Sequence, residues 1–249
     1  HNGSSLFTGD AGSGESNARR YLIESDLVEA IIALPENMFY NTGIGTYIWV
    51  LSNKKEERRK GKIQLIDATA MKSPLRKNMG KKNCEFTEEI RAEIVRIFME
   101  MEESEVSRIF NNEEFGYWAI TVERPLRLRV FPERHIPDSV FRNADERMEY
   151  EKAINKLPKD VPLDDWMAFA KATKLKAALL KKVRPYITEK DPTAKPIDEE
   201  PDPDLRDTEI VPFTYEGGIE AFMKNEVLPY APDAWVDEKK TQVGYEISF

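Results

Sequence analysis

Cysteine and histidine are almost absent from this sequence. Its 249 residues include one cysteine, Cys84, and two histidines, His1 and His135, which lie far apart. One cysteine cannot form an internal disulfide, and such a chain is typical of the reducing cytoplasm. With so few cysteine and histidine side chains, a zinc-type metal site is not expected either. We therefore expect a cytoplasmic protein that holds no metal.

Long apolar runs are also missing. No stretch approaches the roughly 18 consecutive apolar residues that a membrane-spanning helix needs. The first residues do not have the basic and then apolar pattern of a secretory signal. With 41% hydrophobic and 33% charged residues, the chain is long enough for one ordinary core and a second, smaller unit. The sequence thus predicts a globular chain without a membrane partner.

The two ends of the sequence resemble cuts through a longer protein. The chain starts at His1 rather than at a methionine and enters a turn at once. It stops on the strand-like run Tyr245–Phe249. We therefore expect a longer polypeptide, and an ordinary start after processing is the alternative.

Negative charge prevails over the whole chain, but it is unevenly distributed. The net charge of −8 argues against a simple nucleic-acid binder. Lys54–Lys82 nevertheless carries 11 Lys and Arg against 3 Asp and Glu, whereas Ile187–Glu209 carries 9 acids against 3 bases. The whole-chain charge therefore says little about any one surface. A solvated face or loop explains either segment taken alone, and the basic segment is also a candidate for contact with DNA.

The first third of the chain has the pattern of an α/β sheet. Ser16–Ser25 is typical of a short capped helix. Leu27–Leu34 is almost wholly apolar, as a strand buried on both faces should be. Gly45–Leu51 and Lys62–Ala68 are further runs rich in β-branched and aromatic residues. This order of elements predicts the far edge of an α/β sheet.

The rest of the chain predicts a mixture of helices and strands. The pattern indicates a helix from Thr87, strands in Tyr117–Val130 broken at Pro125, a second helix over Asp164–Val183 ended by Pro185, and a short helix over Gly218–Leu228. We expect four segments, namely residues 1–82 (α/β), 83–186 (helical and β), 187–209 (an acidic, Pro-rich linker or arm) and 210–249 (a docking segment).

The run Gly9–Ser16 has the skeleton of a phosphate-binding loop. Glu15, however, occupies the position of the phosphate-binding lysine, and a carboxylate there repels phosphate. A loop that leads into a capped helix explains the same residues better.

Two adjacent aromatic residues stand in the loop that follows the predicted buried strand. Phe39 and Tyr40 lie within FYNTGI, and the carboxyl ends of parallel strands are where ligands bind in α/β sheets. Exposed aromatics there can stack on a base that is taken out of a duplex. The alternative is that both rings simply cover the end of the sheet.

Several segments resemble the modification subunits of type I restriction–modification systems. They occur in that family's order and include LFTGDAGSGES (Leu6–Ser16), IIALPENMFYNTGIGTYIWVLSNKK (Ile31–Lys55), KIQLIDAT (Lys62–Thr69), the pair Arg76-Lys77 with MGKK (Met79–Lys82), GYWAITVERPLRL (Gly116–Leu128) and EVLPYAPDAWVDEKKTQVGYEI (Glu226–Ile247). The combination of LPxxxFYNTGI with TYIWVLSNKK is a specific signature.

The resemblance implies a DNA adenine-N6 methyltransferase that uses S-adenosylmethionine. The implied fold is the trailing part of a Rossmann-like, seven-stranded α/β sheet followed by a mixed helical and β region. Leu27–Leu34 and Gly45–Leu51 would be its sixth, parallel strand and its seventh, antiparallel strand. The implied partners are DNA, a specificity subunit, a second modification subunit and a restriction subunit.

The resemblance and the basic segment together predict the site residues. The target-base pocket would include Phe39, Tyr40, Asn41 and Thr42. Contacts to the DNA backbone are expected from Arg58, Arg59, Lys60, Arg76, Lys77, Lys81 and Lys82.

The sequence departs from the family in one important respect. It contains neither the family's Asn-Pro-Pro-Phe tetrapeptide nor its Gly-rich cofactor turn, and no Asn-Pro pair occurs anywhere. We therefore expect no complete catalytic residue set and no methyl transfer by this chain alone. The alternative function is a non-catalytic assembly module that docks the specificity subunit.

Overall fold

The structure, a computed structural model, describes every residue from His1 to Phe249. Its tertiary contacts divide the chain into two units. Unit 1 comprises His1–Thr121, Thr208–Glu226 and Asp237–Phe249, and unit 2 comprises Val122–Asp207 and Val227–Val236. No helix combines the length and the apolar character that crossing a membrane would require.

The chain forms seven α-helices and thirteen strands. The α-helices are α1 (Ser4–Phe7), α2 (Gly14–Glu24), α3 (Glu88–Glu100), α4 (Ala144–Asn155), α5 (Trp166–Thr173), α6 (Ala177–Ile187) and α7 (Gly218–Phe222), which continues as a π-helical turn over Met223–Val227. The strands are β1 (Val28–Leu34), β2 (Thr46–Leu51), β3 (Lys62–Asp67), β4 (Ser73–Met79), β5 (Lys82–Glu85), β6 (Ser107–Asn111), β7 (Gly116–Glu123), β8 (Pro125–Val130), β9 (Thr188–Lys190), β10 (Pro196–Pro201), β11 (Asp207–Pro212), β12 (Trp235–Val236) and β13 (Gln242–Tyr245).

A four-stranded sheet in the order β2-β1-β3-β6 forms the centre of unit 1. Strand β1 pairs antiparallel with β2 and parallel with β3, and β6 pairs antiparallel with β3. The three strands expected from the sequence are confirmed, as is the antiparallel direction of β2. The mixed α/β class is also confirmed, whereas the seven-stranded Rossmann-like sheet stays a prediction.

Unit 1 covers both faces of β1. Val28 and Ile31 pack on one face, in a cluster that includes residues of α1 and α2. Ile32 and Leu34 pack on the other face with Ile94 of α3. Full burial of such a side chain stabilises a fold by roughly 1.5–3 kcal/mol. The unbroken apolar run of this strand therefore follows from its burial on both sides.

Helix α2 begins at the loop that has the skeleton of a phosphate-binding loop. The hydroxyl of Ser13 accepts a hydrogen bond from the backbone N–H of Ser16, at 3.4 Å, and thereby caps the helix. The expected capped helix is confirmed.

Two helices of unit 2 occupy the range where the sequence predicted one. Lys174 has a φ of +56°, in the left-handed region, and this residue separates α5 from α6. Pro185 lies inside α6 and does not end it. The expected aspartate cap is present, because the side chain of Asp165 accepts a hydrogen bond from the backbone N–H of Ala168 at 2.8 Å. The prediction of a single helix over Asp164–Val183 is therefore wrong.

The acidic, Pro-rich segment 187–209 forms the strands β9 and β10 and the start of β11. Ala194 and Ile197 are buried, so this segment is part of a folded unit and not a free arm. Its acidic groups face basic partners, since Asp191 pairs with Arg129 at 2.5 Å and Glu200 pairs with Arg184 at 2.9 Å. The other expected boundary, at residues 82 and 83, also falls inside a unit, because β6 pairs with β3.

A network around the carboxylate of Asp26 joins four parts of unit 1. The carboxylate accepts hydrogen bonds from Lys55 Nζ at 2.6 Å, from Asn112 Nδ2 at 2.9 Å and from the backbone N–H of Gly61 at 3.0 Å. The Lys55 side chain is only 2% exposed. Burial alone would raise the pKa of Asp26, but these hydrogen bonds outweigh it and hold that pKa below its ordinary value.

We predict that Asp26→Asn lowers the free energy of unfolding at pH 7 by on the order of 1–3 kcal/mol, because it leaves the buried Lys55 ammonium unpaired. A carboxyl with a lowered pKa contributes its full stability above its unfolded pKa near 4, and this contribution is lost as the pH falls below that value. The difference between the two proteins should therefore shrink as the pH falls below about 4.

Urea unfolding at several pH values measures this difference. The matched control is Glu103→Gln at an exposed acid, which should unfold like the unchanged protein. Equal unfolding of Asp26→Asn and the unchanged protein at pH 7 would show that the network contributes nothing.

Candidate nucleic-acid interface

Two segments of unit 1 follow the carboxyl ends of neighbouring parallel strands. The first is the aromatic loop, residues 35–45, which follows β1. The second is the basic hairpin, residues 73–85, which is formed by β4 and β5 shortly after β3. Because β1 and β3 run parallel, their carboxyl ends lie at the same edge of the sheet. Ligands of α/β sheets bind at this edge.

Backbone contacts join the aromatic loop to the basic hairpin. The backbone N–H of Asn83 donates a hydrogen bond to the carbonyl of Asn37 at 3.0 Å. The buried thiol of Cys84 lies 3.5 Å from the carbonyl of Glu36. Asn37 has a φ of +57°, a left-handed conformation that asparagine adopts more readily than most residues. The loop and the hairpin therefore form one continuous surface.

The aromatic side chains on this surface are open to solvent. Phe39 is 47% exposed and Tyr40 is 66% exposed. Asn41 is also exposed and has a φ of +59°, whereas Thr42 is half-buried. Rings that merely covered the end of the sheet would be largely buried, whereas these exposed rings are accessible to a ligand.

The basic hairpin supplies positive charge beside the two rings. Arg76, Lys77 and Lys81 are exposed, and Lys82 is half-buried. The ion pairs of the structure involve none of these four side chains, and Glu85 is the one acid in the hairpin. Unpaired cations on an exposed hairpin create a positive potential that attracts phosphate.

The other basic residues expected to contact DNA lie at the opposite end of the sheet. Arg58 and Lys60 directly precede β3, at its amino end, and a strand of six residues is roughly 20 Å long. Each is paired with a neighbouring acid, Arg58 with Glu56 at 2.8 Å and Lys60 with Glu57 at 2.5 Å. The seven residues predicted as one DNA-facing group therefore lie at two separate places.

Arg59 is a buried structural residue. Arg59 is 3% exposed, and its guanidinium lies 4.1 Å from the centre of the Phe98 ring. It donates hydrogen bonds to Gln64 Oε1, at 3.4 Å, and to the carbonyl of Phe98. Burial lowers the pKa of this guanidinium. Because its guanidinium donates hydrogen bonds within the protein, Arg59 is removed from the proposed DNA-facing residues.

The turns that follow β1 and β3 are not the Gly-rich turn expected for S-adenosylmethionine. Strand β1 is followed by Pro35 and β3 by Ala68, so neither leads into a Gly-rich turn. The carboxylate of Asp67, at the end of β3, accepts hydrogen bonds from the backbone and hydroxyl of Thr69. No group of three or more His, Cys, Asp or Glu side chains comes together as metal ligands. The residues at this edge therefore do not fit the cofactor.

Sequence reasoning missed the residues that hold this surface together. It named the cations of the hairpin but not the strands β4 and β5, whose alternation of apolar and polar residues is weak. The pair Gly80-Lys81, between runs of extended residues, is the signal that could have identified the hairpin.

The part of the chain that carries this surface matches a known family. Residues 2–123 match the family described as N-6 DNA Methylase. The matched range contains the sheet β2-β1-β3-β6, the aromatic loop and the basic hairpin. This half of the chain is thus similar to N-6 DNA methylases.

The individual relatives are type I methylase subunits. The type I restriction enzyme MjaVII methylase subunit of Methanocaldococcus jannaschii is 45% identical over 58 residues, which are 23% of this chain and 10% of the relative. The MjaVIII methylase subunit of the same organism is 38% identical over 81 residues, which are 32% of this chain and 14% of the relative. The resemblance to type I modification subunits is therefore confirmed.

One solved structure is also similar. The type I restriction-modification system methyltransferase subunit from Streptococcus thermophilus matches 45% of this chain and 22% of its own chain, with 25% identity and a TM-score of 0.38. The chain thus spans between 10% and 22% of the length of these three proteins.

We predict that Phe39→Ala and Tyr40→Ala each change the free energy of unfolding of this chain by less than about 1 kcal/mol, because exposed side chains contribute little packing. The matched control is Phe115→Ala, at a core aromatic that is 5% exposed. Its loss should cost about 3–5 kcal/mol. Chemical unfolding of the three variants gives the comparison, and a loss at Phe39 or Tyr40 as large as that at Phe115 would mean that these rings are core packing.

Proposed function

We propose that this chain supplies part of a DNA adenine-N6 methyltransferase subunit of a type I restriction–modification system. The observation that carries the proposal is the surface formed by the aromatic loop and the basic hairpin. On this surface two exposed aromatic rings stand beside unpaired cations, within the range that matches the N-6 DNA Methylase family.

The chemistry of methylating a base in DNA explains this combination of residues. The exocyclic amine of adenine is inside the duplex, so an enzyme must extrude the nucleotide before it can transfer a methyl group. Phe39 and Tyr40 would stack on the extruded adenine, while Asn41 and Thr42 would complete the wall of its pocket. Aromatic rings suit this role because every base has a face on which they can stack.

The cations of the basic hairpin would hold the DNA backbone beside the target base. Arg76, Lys77 and Lys81 are exposed and free of ion pairs, so they can neutralise phosphates without first breaking internal contacts. Lys82 would contribute from its half-buried position. Such contacts position the DNA and carry no sequence information. In our proposal a separate specificity subunit supplies the sequence recognition.

In our proposal the methyl donor and the catalytic motifs are not supplied by the aromatic loop or the basic hairpin. S-adenosylmethionine would supply the methyl group, and the family's Asn-Pro-Pro-Phe and Gly-rich motifs do not occur in this sequence. We therefore expect no methyl transfer from the 249-residue chain alone. A second modification subunit and a restriction subunit would be further partners. The exposed rings and unpaired cations favour this DNA-facing role over a purely docking module.

We predict that Phe39→Ala or Tyr40→Ala, in the full-length subunit assembled with its partners, slows methyl transfer by on the order of 10- to 100-fold. Stacking on a base is worth roughly 1–3 kcal/mol, and each 1.36 kcal/mol changes a rate tenfold. The loss should be smaller when the target adenine is mispaired, because a mispaired base is easier to extrude.

The measurement combines the methylation rate, the melting temperature and the affinity for S-adenosylmethionine in each variant. The matched control is Phe7→Ala, at another exposed aromatic of unit 1 that lies outside this surface. The proposal requires a loss of rate with melting temperature and cofactor affinity retained. Full activity in both variants, or a parallel loss of all three properties, would contradict it.

A further inference from the structure

The turn of the basic hairpin contacts the ring of Tyr40. Gly80 is the first residue of the two-residue turn between β4 and β5, and its φ is +62°. A Cβ atom at Gly80 would lie 2.9 Å from Cε2 and 3.3 Å from Cδ2 of Tyr40, and 2.9 Å from Oδ1 of Asn41. Carbon atoms in contact prefer about 3.5–4.0 Å. Only a residue without a side chain therefore leaves room for the ring in this position.

This contact supports one edge of a ring that is otherwise open. Tyr40 is 66% exposed, yet its Cδ2–Cε2 edge lies against the hairpin turn. The turn is itself fixed to the aromatic loop, because the backbone N–H of Asn83 donates to the carbonyl of Asn37. A contact along one edge limits the orientations open to an exposed ring, which reduces the entropy that the ring loses on binding.

Building on the function proposed above, we propose that Gly80 is a positioning residue for base capture. By omitting a side chain, it allows the hairpin turn to hold Tyr40 in the orientation that stacks on the extruded adenine. The nearest side chains to Gly80 are those of Tyr40 and Asn41. In this proposal the stacking ring is that of Tyr40, and Gly80 acts through its contact with that ring.

The same hairpin also connects the base site to the DNA backbone. Arg76 and Lys77 of β4 lie a few residues before Gly80, and Lys81 follows it directly. A phosphate held by these cations is thereby tied to the turn that supports Tyr40. Backbone binding and base stacking then share one rigid element, so the hairpin sets the distance between the held phosphate and the extruded base.

Gly80 also has a simpler role, which the experiment must separate from the proposed one. A two-residue hairpin turn with a positive φ at its first position favours glycine for its own backbone geometry. Any larger residue strains such a turn, whether or not a ring lies above it. A change that acts through Tyr40 disappears when Tyr40 is removed, whereas turn strain remains.

The experiment is a double-mutant cycle in the full-length subunit, assembled with its partner subunits. The variants are Gly80→Ala, Tyr40→Ala, the double variant and a control, Gly61→Ala. Gly61 also has a positive φ, +69°, but no atom lies within 4 Å of a Cβ added there. The readouts are the methylation rate and the fluorescence of 2-aminopurine placed at the target adenine, which reports stacking of the extruded base.

We expect Gly80→Ala to slow methylation about 3- to 10-fold and to weaken the change in 2-aminopurine fluorescence, since the added methyl group displaces the ring and the ring must be reordered on binding. In the Tyr40→Ala background, Gly80→Ala should have no further effect on either readout. Gly61→Ala should keep the normal rate and signal at a temperature where the protein stays folded.

Other outcomes would overturn the inference. An equal effect of Gly80→Ala in both backgrounds would mean that Gly80 does not act through Tyr40, and the proposed function would survive. A normal rate and fluorescence signal in Gly80→Ala would overturn the inference in the same way. Normal methylation in both Phe39→Ala and Tyr40→Ala would instead overturn the proposed function and this inference with it.

Discussion

The parallel pairing of β1 with β3 is the constraint on which the site of this protein depends. It runs from Ala30 opposite Gln64 to Ala33 opposite Asp67, and it brings the carboxyl ends of both strands to one edge of the sheet. One strand leads into the aromatic loop and the other into the basic hairpin. A hydrogen bond from the backbone N–H of Ala68 to the carbonyl of Ala33, at 3.0 Å, continues the pairing past the strand ends. The rings and the cations therefore become neighbours although Arg76 lies 36 positions after Tyr40 in the sequence.

The same pairing separates the two groups of basic residues. The segment Lys54–Lys82 is strongly basic, but its basic residues form two groups, one before β3 and one after it. The two groups therefore lie at opposite ends of the sheet. Their surroundings also differ. Arg58 and Lys60 are paired with glutamates and Arg59 is buried against Phe98, whereas the cations of the hairpin have no acidic partners. An excess of basic residues in the sequence thus gives cations that are free to bind phosphate only in the basic hairpin.

Much of unit 1 could be predicted because its signals are local. An apolar run such as Leu27–Leu34 indicates a strand buried on both faces, and the FYNTGI motif marks the loop that follows it. The burial of Arg59 could not be predicted, since it depends on Phe98 of a helix that lies 39 residues further along the chain. The break between α5 and α6 was also hidden, because a lysine adopts the left-handed conformation that usually marks glycine. In segment 187–209 the prolines and charges favoured a linker, but ion pairs and the buried side chains of Ala194 and Ile197 make it, up to Asp207, part of unit 2.

We propose that DNA meets the carboxyl edge of this sheet through the basic hairpin. The most direct test measures DNA affinity of the assembled enzyme against salt concentration for two charge-reversal variants. One reverses Arg76, Lys77 and Lys81 to Glu, and the other reverses Arg58 and Lys60 to Glu. If each hairpin cation neutralises one phosphate, the first variant should bind all sequences more weakly and lower the salt slope by about 2–3, while the second should keep both affinity and slope. A loss of affinity in the second variant, with the first variant unchanged, would place the DNA at the opposite end of the sheet and contradict this proposal.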